Sequence, residues 1–144
     1  MVDAAALGRI GEPFEIPIER GKIREFARST FSTSPSYLDY PEPVVPPTFL
    51  TTMIAWSTPE SDPWTAVKMD QSRGLHGEQE YVFHGPPPRA GTVLTAQSRI
   101  ESITTKPGRR GGELTVVVQV TEFRDADGTL VAEARMTGIE TEGL

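Results

Sequence analysis

Few side chains exchange protons readily near neutral pH, and this sequence offers few of them: two histidines, His76 and His84, and no cysteine. Without cysteine there is no thiol nucleophile, no disulfide and no thiolate metal site. Neither histidine has carboxylates around it at metal-ligand spacing, so no metal site is expected. His76 stands between Gly74 and Gly77 at the start of an alternating segment, and two readings of it stand: an acid/base or site-lining imidazole, or a hydrogen-bonded structural one. His84 precedes the Pro86-Pro87-Pro88 turn and reads as a partly exposed strand-end residue. Glu78 and Glu80, two apart on one strand face, read as a solvent-facing side rather than a paired-carboxylate centre.

The elements that must position these residues follow from the periodicity. Phe14, Ile16 and Ile18 alternate as a short strand that Pro17 confines to an edge or a strand end. Ile23, Phe26 and Ala27 recur at helical spacing within 19–28. Residues 29–47, with five prolines, form a long loop of the kind that often carries function. Pro46-Pro47-Thr48 leads into Phe49–Trp56, where Phe49, Met53 and Trp56 share a face that Leu50 and Ile54 widen, predicting a central helix apolar over most of its circumference. Residues 57–73 carry no clear pattern. Four strands follow, at 78–84, 92–104, 113–123 and 129–140. In the third, Leu114, Val116, Val118 and Val120 are read as the buried face, which Leu130, Ala132, Ala134 and Met136 continue on the return strand after the turn at 125–128. An antiparallel sheet and an apolar helix must cover each other, so the expected architecture is α+β, a hot-dog sheet wrapped around a central helix, as one domain over 1–144.

Composition excludes several function classes. A net charge of -6 with scattered basic residues leaves no footprint for nucleic acid or anionic lipid. No apolar run approaches the ~20 residues of a membrane span, and the first residues lack a secretory pattern, so a cytoplasmic location is expected.

Three segments, Val45-Pro46-Pro47-Thr48-Phe49-Leu50, Gly74–His84 and Pro88-Arg89-Ala90-Gly91-Thr92-Val93-Leu94, resemble the MaoC-like or FAS1-like N-terminal dehydratase domain, and residues 122–132 resemble the end of such domains. The resemblance covers most of the chain. It implies a hot-dog domain acting on (R)-hydroxyacyl or 2-enoyl thioesters carried on CoA or acyl-carrier protein, with no other cofactor. Active members carry an Asp and a His in a DxNPxH pattern before the central helix. Here the matching stretch is Ser32-Thr33-Ser34-Pro35-Ser36-Tyr37, which puts Ser32 at the Asp position and Tyr37 at the His position. Hydration needs a base for water and an acid for the α-carbon, and neither hydroxyl titrates near neutrality. The resemblance also implies backbone N–H groups at the helix start near Thr48 that polarise the thioester carbonyl.

The leading reading is therefore a substrate-binding subunit, its pocket formed by Tyr37, Pro47, Thr48, Phe49, Met53 and His76, working with a homologous MaoC-like partner whose DxNPxH motif is intact. Tyr37 and the apolar helix residues equally serve as packing. The runner-up is a self-sufficient homodimeric hydratase using an unconventional pair such as Asp39 with His76. The third is a non-catalytic acyl-thioester binding module. Arg89, Arg109 and Arg110 are candidates for carrier phosphates, although isolated surface arginines are common. A dimer or dimer of dimers is expected, because a lone hot-dog domain exposes sheet edges.

Overall fold

A computed structural model of the chain describes residues 1–109 and 111–142. Five antiparallel strands form one sheet: β1 (Phe14–Pro17), β2 (Gly74–Phe83), β3 (Val93–Pro107), β4 (Glu113–Arg124) and β5 (Leu130–Thr141), in the spatial order β1-β3-β4-β5-β2. Sequence-adjacent β3, β4 and β5 pair directly, as short turns dictate. The last turn is closed by Asp125, whose carboxylate accepts the Asp127 and Thr129 N–H groups while Gly128 adopts a positive φ of 80°.

Two helices cross the first half, α1 (Arg20–Ser29) and the single turn α2 (Pro35–Leu38), the latter inside the stretch expected to be a loop. The apolar stripe of α1 does what its spacing predicts: Ile23 and Ala27 are fully buried, and Phe26 meets Phe49 edge-to-face at 5.6 Å. Ser29 and Thr30 donate their hydroxyls to the Phe26 and Ala27 carbonyls at its C-terminal end.

The expected central α-helix is a 3-10 helix, Phe49–Ala55, whose first residues pack against the sheet while its far end does not. Phe49 and Leu50 are buried, but Ile54 is 79% exposed and Trp56 37%. Two causes act together. Pro46 and Pro47 withhold N–H groups at the start, and Thr51, Thr52 and Ile54 are β-branched, which weakens α-helical propensity. At three residues per turn, Phe49, Met53 and Trp56 no longer share a face, so the α-helical stripe read from the sequence dissolves. A further short 3-10 helix, Pro63–Val67, lies in the unassigned stretch, with Asp62 capping it through the Trp64 N–H at 3.0 Å.

The buried face of β4 is also the opposite of the expected one. Register pairs Phe123 with Ala132, Thr121 with Ala134 and Gln119 with Met136, so Val117, Gln119, Thr121 and Phe123 share the concave face with the alanines of β5. Val116, Val118 and Val120 point to the convex face. Val120 is fully buried there under a lattice of ion pairs in which Arg99 holds Glu122 and Glu101, and Arg135 holds Glu101 and Glu80. The aliphatic stems of the two arginines cover the valine, so the apolar alternation was real but served the outer surface.

On the concave face the core falls into two clusters. One gathers Ile16, Ile18, Ile23, Val45, Phe49, Leu50, Leu94, Ala96 and Phe123 under α1, while the other is small, with Ala6, Val67, Ile100 and Val117 under the Pro63–Val67 helix. Between them, Ala96 gives way to Ser98 on β3, and Thr121 and Gln119 stand between Phe123 and Val117 on β4. A polar seam thus divides the core.

Candidate functional site

Over that seam lies a cavity of about 290 Å³. Ser98, Gln119, Gln79 and Met136 of the sheet form its floor, and Met53 and Ile54 border it from the 3-10 helix. Trp64 and Asp62 close a further side, and His76, Phe14, Thr51, Ser57 and Ser61 complete the lining. A hollow of about 200 Å³ shares Trp64, His76 and Met136 with it, which puts the imidazole between two spaces.

Local backbone geometry places these groups. The register of β2 against β5 jumps between His76 and Glu78, leaving Gly77 as the extra residue of a bulge. His76 pairs with Gly138 and Gln79 with Met136, so two residues three apart face the same side, which a regular strand forbids. Gly138 lets Trp64 approach: a Cβ there would lie 2.5 Å from the indole Cη2 atom. Gly11 likewise admits the Ser61 carbonyl, which would lie 2.1 Å from a Cβ at that position.

Polar groups in the floor are unevenly satisfied. The Ser98 and Thr121 hydroxyls bond to each other at 2.7 Å, which spends the O–H of one of them. Gln119, only 8% exposed, has no hydrogen-bond partner for its side-chain oxygen. An orphaned buried acceptor costs about 1–3 kcal/mol and calls for a donor.

The other sequence candidates distribute differently. Of the expected pocket residues, His76 and Met53 line the cavity, whereas Phe49 is core and Pro47 and Thr48 are exposed on the approach to the 3-10 helix. At the helix start the Phe49 N–H is given to the Pro46 carbonyl at 3.0 Å. Tyr37 packs half-buried against the larger core cluster. The Ser32 hydroxyl accepts the Ser34 N–H at 3.3 Å, and Asp39 sits exposed at the end of α2. None of Ser32, Tyr37 and Asp39 is in the cavity lining, so the pairing of Asp39 with His76 does not form there. The carboxylate that shares the cavity with His76 is Asp62. Arg89 donates to the Glu42 carbonyl at 3.0 Å, which spends one of its N–H groups on the loop. Arg110 lies outside the described residues, and His84 is paired with Glu133 at 2.8 Å at the strand end. Glu78 and Glu80 are exposed, as their spacing suggested. Among the described residues no cluster of His, Asp and Glu could hold a metal ion, and no helix is long and apolar enough to cross a membrane.

Ser98, Gln119, Gln79, Trp64, Asp62 and Met136 were not read as site residues. The available signal was the interruption of apolar alternation at Ser98 and at Gln119 and Thr121, which the inverted face assignment turned into an apparent solvent side.

Comparisons with known proteins agree with this architecture. The family model described as FAS1-like, dehydratase domain region, matches residues 5–134. A UPF0336 protein of Saccharopolyspora erythraea is 33% identical across 99% of this chain and 97% of its own, and one of Parafrankia sp. is 34% identical across 83% and 82%. Among solved structures, the C-terminally truncated HadBC (3R-hydroxyacyl-ACP dehydratase) complex of Mycobacterium tuberculosis is similar, with a TM-score of 0.74, 27% identity and coverage of 93% of this chain and 96% of that one. The ChsH1-ChsH2 complex of the same organism shares the fold at a TM-score of 0.73 and 16% identity, over 97% of this chain and 87% of that one. The expected hot-dog sheet is therefore the fold adopted, with a 3-10 helix where a longer central helix was anticipated.

Proposed function

The chain belongs to the FAS1-like dehydratase-region family, and on that premise we propose that it is the acyl-binding subunit of a heteromeric hydratase/dehydratase, its partner supplying the acid and base. The observation that carries this reading is a cavity on the concave face from which the residues at the dyad positions, Ser32 and Tyr37, are absent. Its apolar lining of Phe14, Met53, Ile54, Trp64 and Met136 suits an acyl chain. The chemistry then divides between subunits. A base on the partner takes a proton from water as its oxygen bonds to C3, an acid returns a proton to C2, and the reverse sequence expels water. This chain contributes positioning and exclusion of solvent, with the acyl group delivered on CoA or acyl-carrier protein.

That two heteromeric complexes are among the similar structures supports the need for a partner. A second reading rests on Asp62, which lines the cavity together with His76: a self-sufficient hydratase using those two groups. Its weakness is that the Asp62 carboxylate already caps the Pro63–Val67 helix. Loss of the 2-enoyl-CoA absorbance, followed with the chain alone and with a co-expressed MaoC-like partner bearing DxNPxH, separates the two. Turnover only with the partner is the expected result. Turnover by the chain alone, abolished in His76→Ala, would establish the second reading, and inactivity with every such partner would leave a binding module.

A further inference from the structure

We propose that the Trp64 indole sets the length of the acyl chain this site accepts, as a wall at which the chain ends and beyond which a second space lies. The inference rests on the acyl-binding reading above and deepens it by naming the residue that measures the chain.

The cavity crosses the sheet, taking Phe14, Ser98, Gln119, Met136 and Gln79 from β1, β3, β4, β5 and β2 in turn. Two residues beyond Met136 on the same face of β5, Gly138 borders the second hollow together with Met69, Gly74 and Leu75. Trp64, His76 and Met136 border both spaces and therefore stand between them. Of the three, Trp64 alone comes from outside the sheet, and its ring edge is seated on Gly138, where a Cβ would lie 2.5 Å from Cη2 and 2.7 Å from Cζ2. Any side chain at 138 would push the ring out of that seat. The backbone under the ring is fixed at both ends of its short helix. The Asp62 carboxylate accepts the Trp64 N–H at 3.0 Å at the start, and at the end the Val67 carbonyl accepts the Asp3 N–H at 2.8 Å while Lys68 pairs with Asp3 at 3.0 Å. The border on the 3-10 helix Phe49–Ala55 is the mouth of the cavity, since Thr51 and Ile54 are exposed there. A chain entering past that helix runs toward an indole held from behind, and Trp64 and Met136 give its end an apolar wall. Each methylene buried before the wall strengthens binding about fourfold. A methylene past it must displace the indole from a packed seat, and overpacking of that kind costs more than one methylene's burial contributes.

Calorimetric titration of the full chain with straight saturated acyl-CoA thioesters from butanoyl to dodecanoyl tests this. In wild type the affinity should climb about fourfold per added carbon up to a break and stop climbing beyond it. Trp64→Phe lacks the ring edge that rests on Gly138 and opens the way into the hollow, so its break should move to chains longer by about two carbons or more. A second readout leaves the wall intact. Trp56, the chain's other tryptophan, is not in the lining, so in Trp56→Phe the tryptophan emission comes from Trp64 alone. That emission should keep its CoA-bound value for chains short of the break and shift from the break onward. Affinity that climbs without a break, a break that Trp64→Phe leaves in place, or emission that shifts at no length or already with the shortest chain overturns the inference and leaves the acyl-binding reading standing. Affinity no greater than that of CoA itself at every length overturns the two together. Should Trp64→Phe fold poorly, the wild-type series and the Trp64 emission decide.

Discussion

Glu140 shows how much one side chain can be asked to hold. It is 5% exposed near the end of β5, and its two oxygens accept the Asp70 N–H at 2.7 Å and the Arg73 guanidinium at 3.3 Å. Burial pushes its carboxyl up, but the backbone N–H of Asp70, the Met1 ammonium and Arg73 outweigh this and hold it below the usual value. Arg73 in turn donates to Asp70 and to the Thr141 carbonyl, tying the loop before β2 to the last strand. Replacing Glu140 by leucine leaves the Asp70 N–H without its side-chain acceptor and the half-buried Arg73 guanidinium with one acceptor fewer. The expected cost is about 2–4 kcal/mol in urea unfolding, with Glu140→Gln roughly half as damaging because its amide oxygen still accepts from Asp70. A leucine variant within about 0.5 kcal/mol of wild type would show that the cluster is surface decoration.

At the scale of elements, the 3-10 helix Phe49–Ala55 separates residues that the sequence grouped together. Phe49 is 1% exposed and packs on Phe26, whereas Ile54, five residues on, is 79% exposed. Phe49→Ala should cost about 3–5 kcal/mol through the cavity it leaves, while Ile54→Ser should stay within about 0.5 kcal/mol in the isolated chain. Chemical unfolding of both variants checks this. Comparable losses would mean that the far end of the segment is buried as well, as an α-helical pattern implied. The strands were legible because period-two alternation survives any context, and α1 was legible because Ile23, Phe26 and Ala27 have one stripe to bury. The 3-10 geometry was not, since its apolar content fits an α-helix and only the two prolines and the β-branched residues argue otherwise. The face of β4 was misread for a different reason. Leu114, Val116, Val118 and Val120 are the more apolar row, yet arginine stems on neighbouring strands cover Val120 from outside, and a single sequence does not show cross-strand cover. The cavity inherited that error, because its floor is the row that looked like solvent. His76 and Met53 could be picked out, but Gly77's bulge, which brings His76 and Gln79 to one side, depends on pairing with β5.

For the whole molecule, the sheet has two ends of unequal character. β1 is four residues long and closes on Pro17, a blunted edge, whereas β2 runs for ten residues and pairs only with β5. Leu75, 49% exposed on β2, is part of that long edge, which is where the proposed subunit pairing would extend the sheet. Leu75→Lys should therefore shift the oligomer toward monomer in light scattering at equal concentration, and an unchanged mass would move the interface elsewhere. Acid should act on the molecule as a unit. The Ser72 hydroxyl, the Arg73 guanidinium and the Ser72 N–H lower the Asp70 carboxyl to about 2, and those of Glu140, Glu122 and Asp3 are lowered as well, the last two by hydrogen bonds from Arg124 and Lys68 above all. In the unfolded chain an aspartate titrates near ~3.9 and a glutamate near ~4.3. Each folded-state value lies below its unfolded one, so across the interval between them the unfolded chain binds more protons and stability rises with pH. The contribution is complete above the unfolded values and is lost as pH falls through the folded ones, for Asp70 from roughly 3.9 down to about 2. The urea midpoint should therefore decline from about pH 5 downward, and Asp70→Asn, which removes that titration, should start lower and decline less steeply between pH 4 and pH 2. A variant that tracks wild type across that interval would mean that the Ser72 and Arg73 contacts to Asp70 add nothing to the folded state.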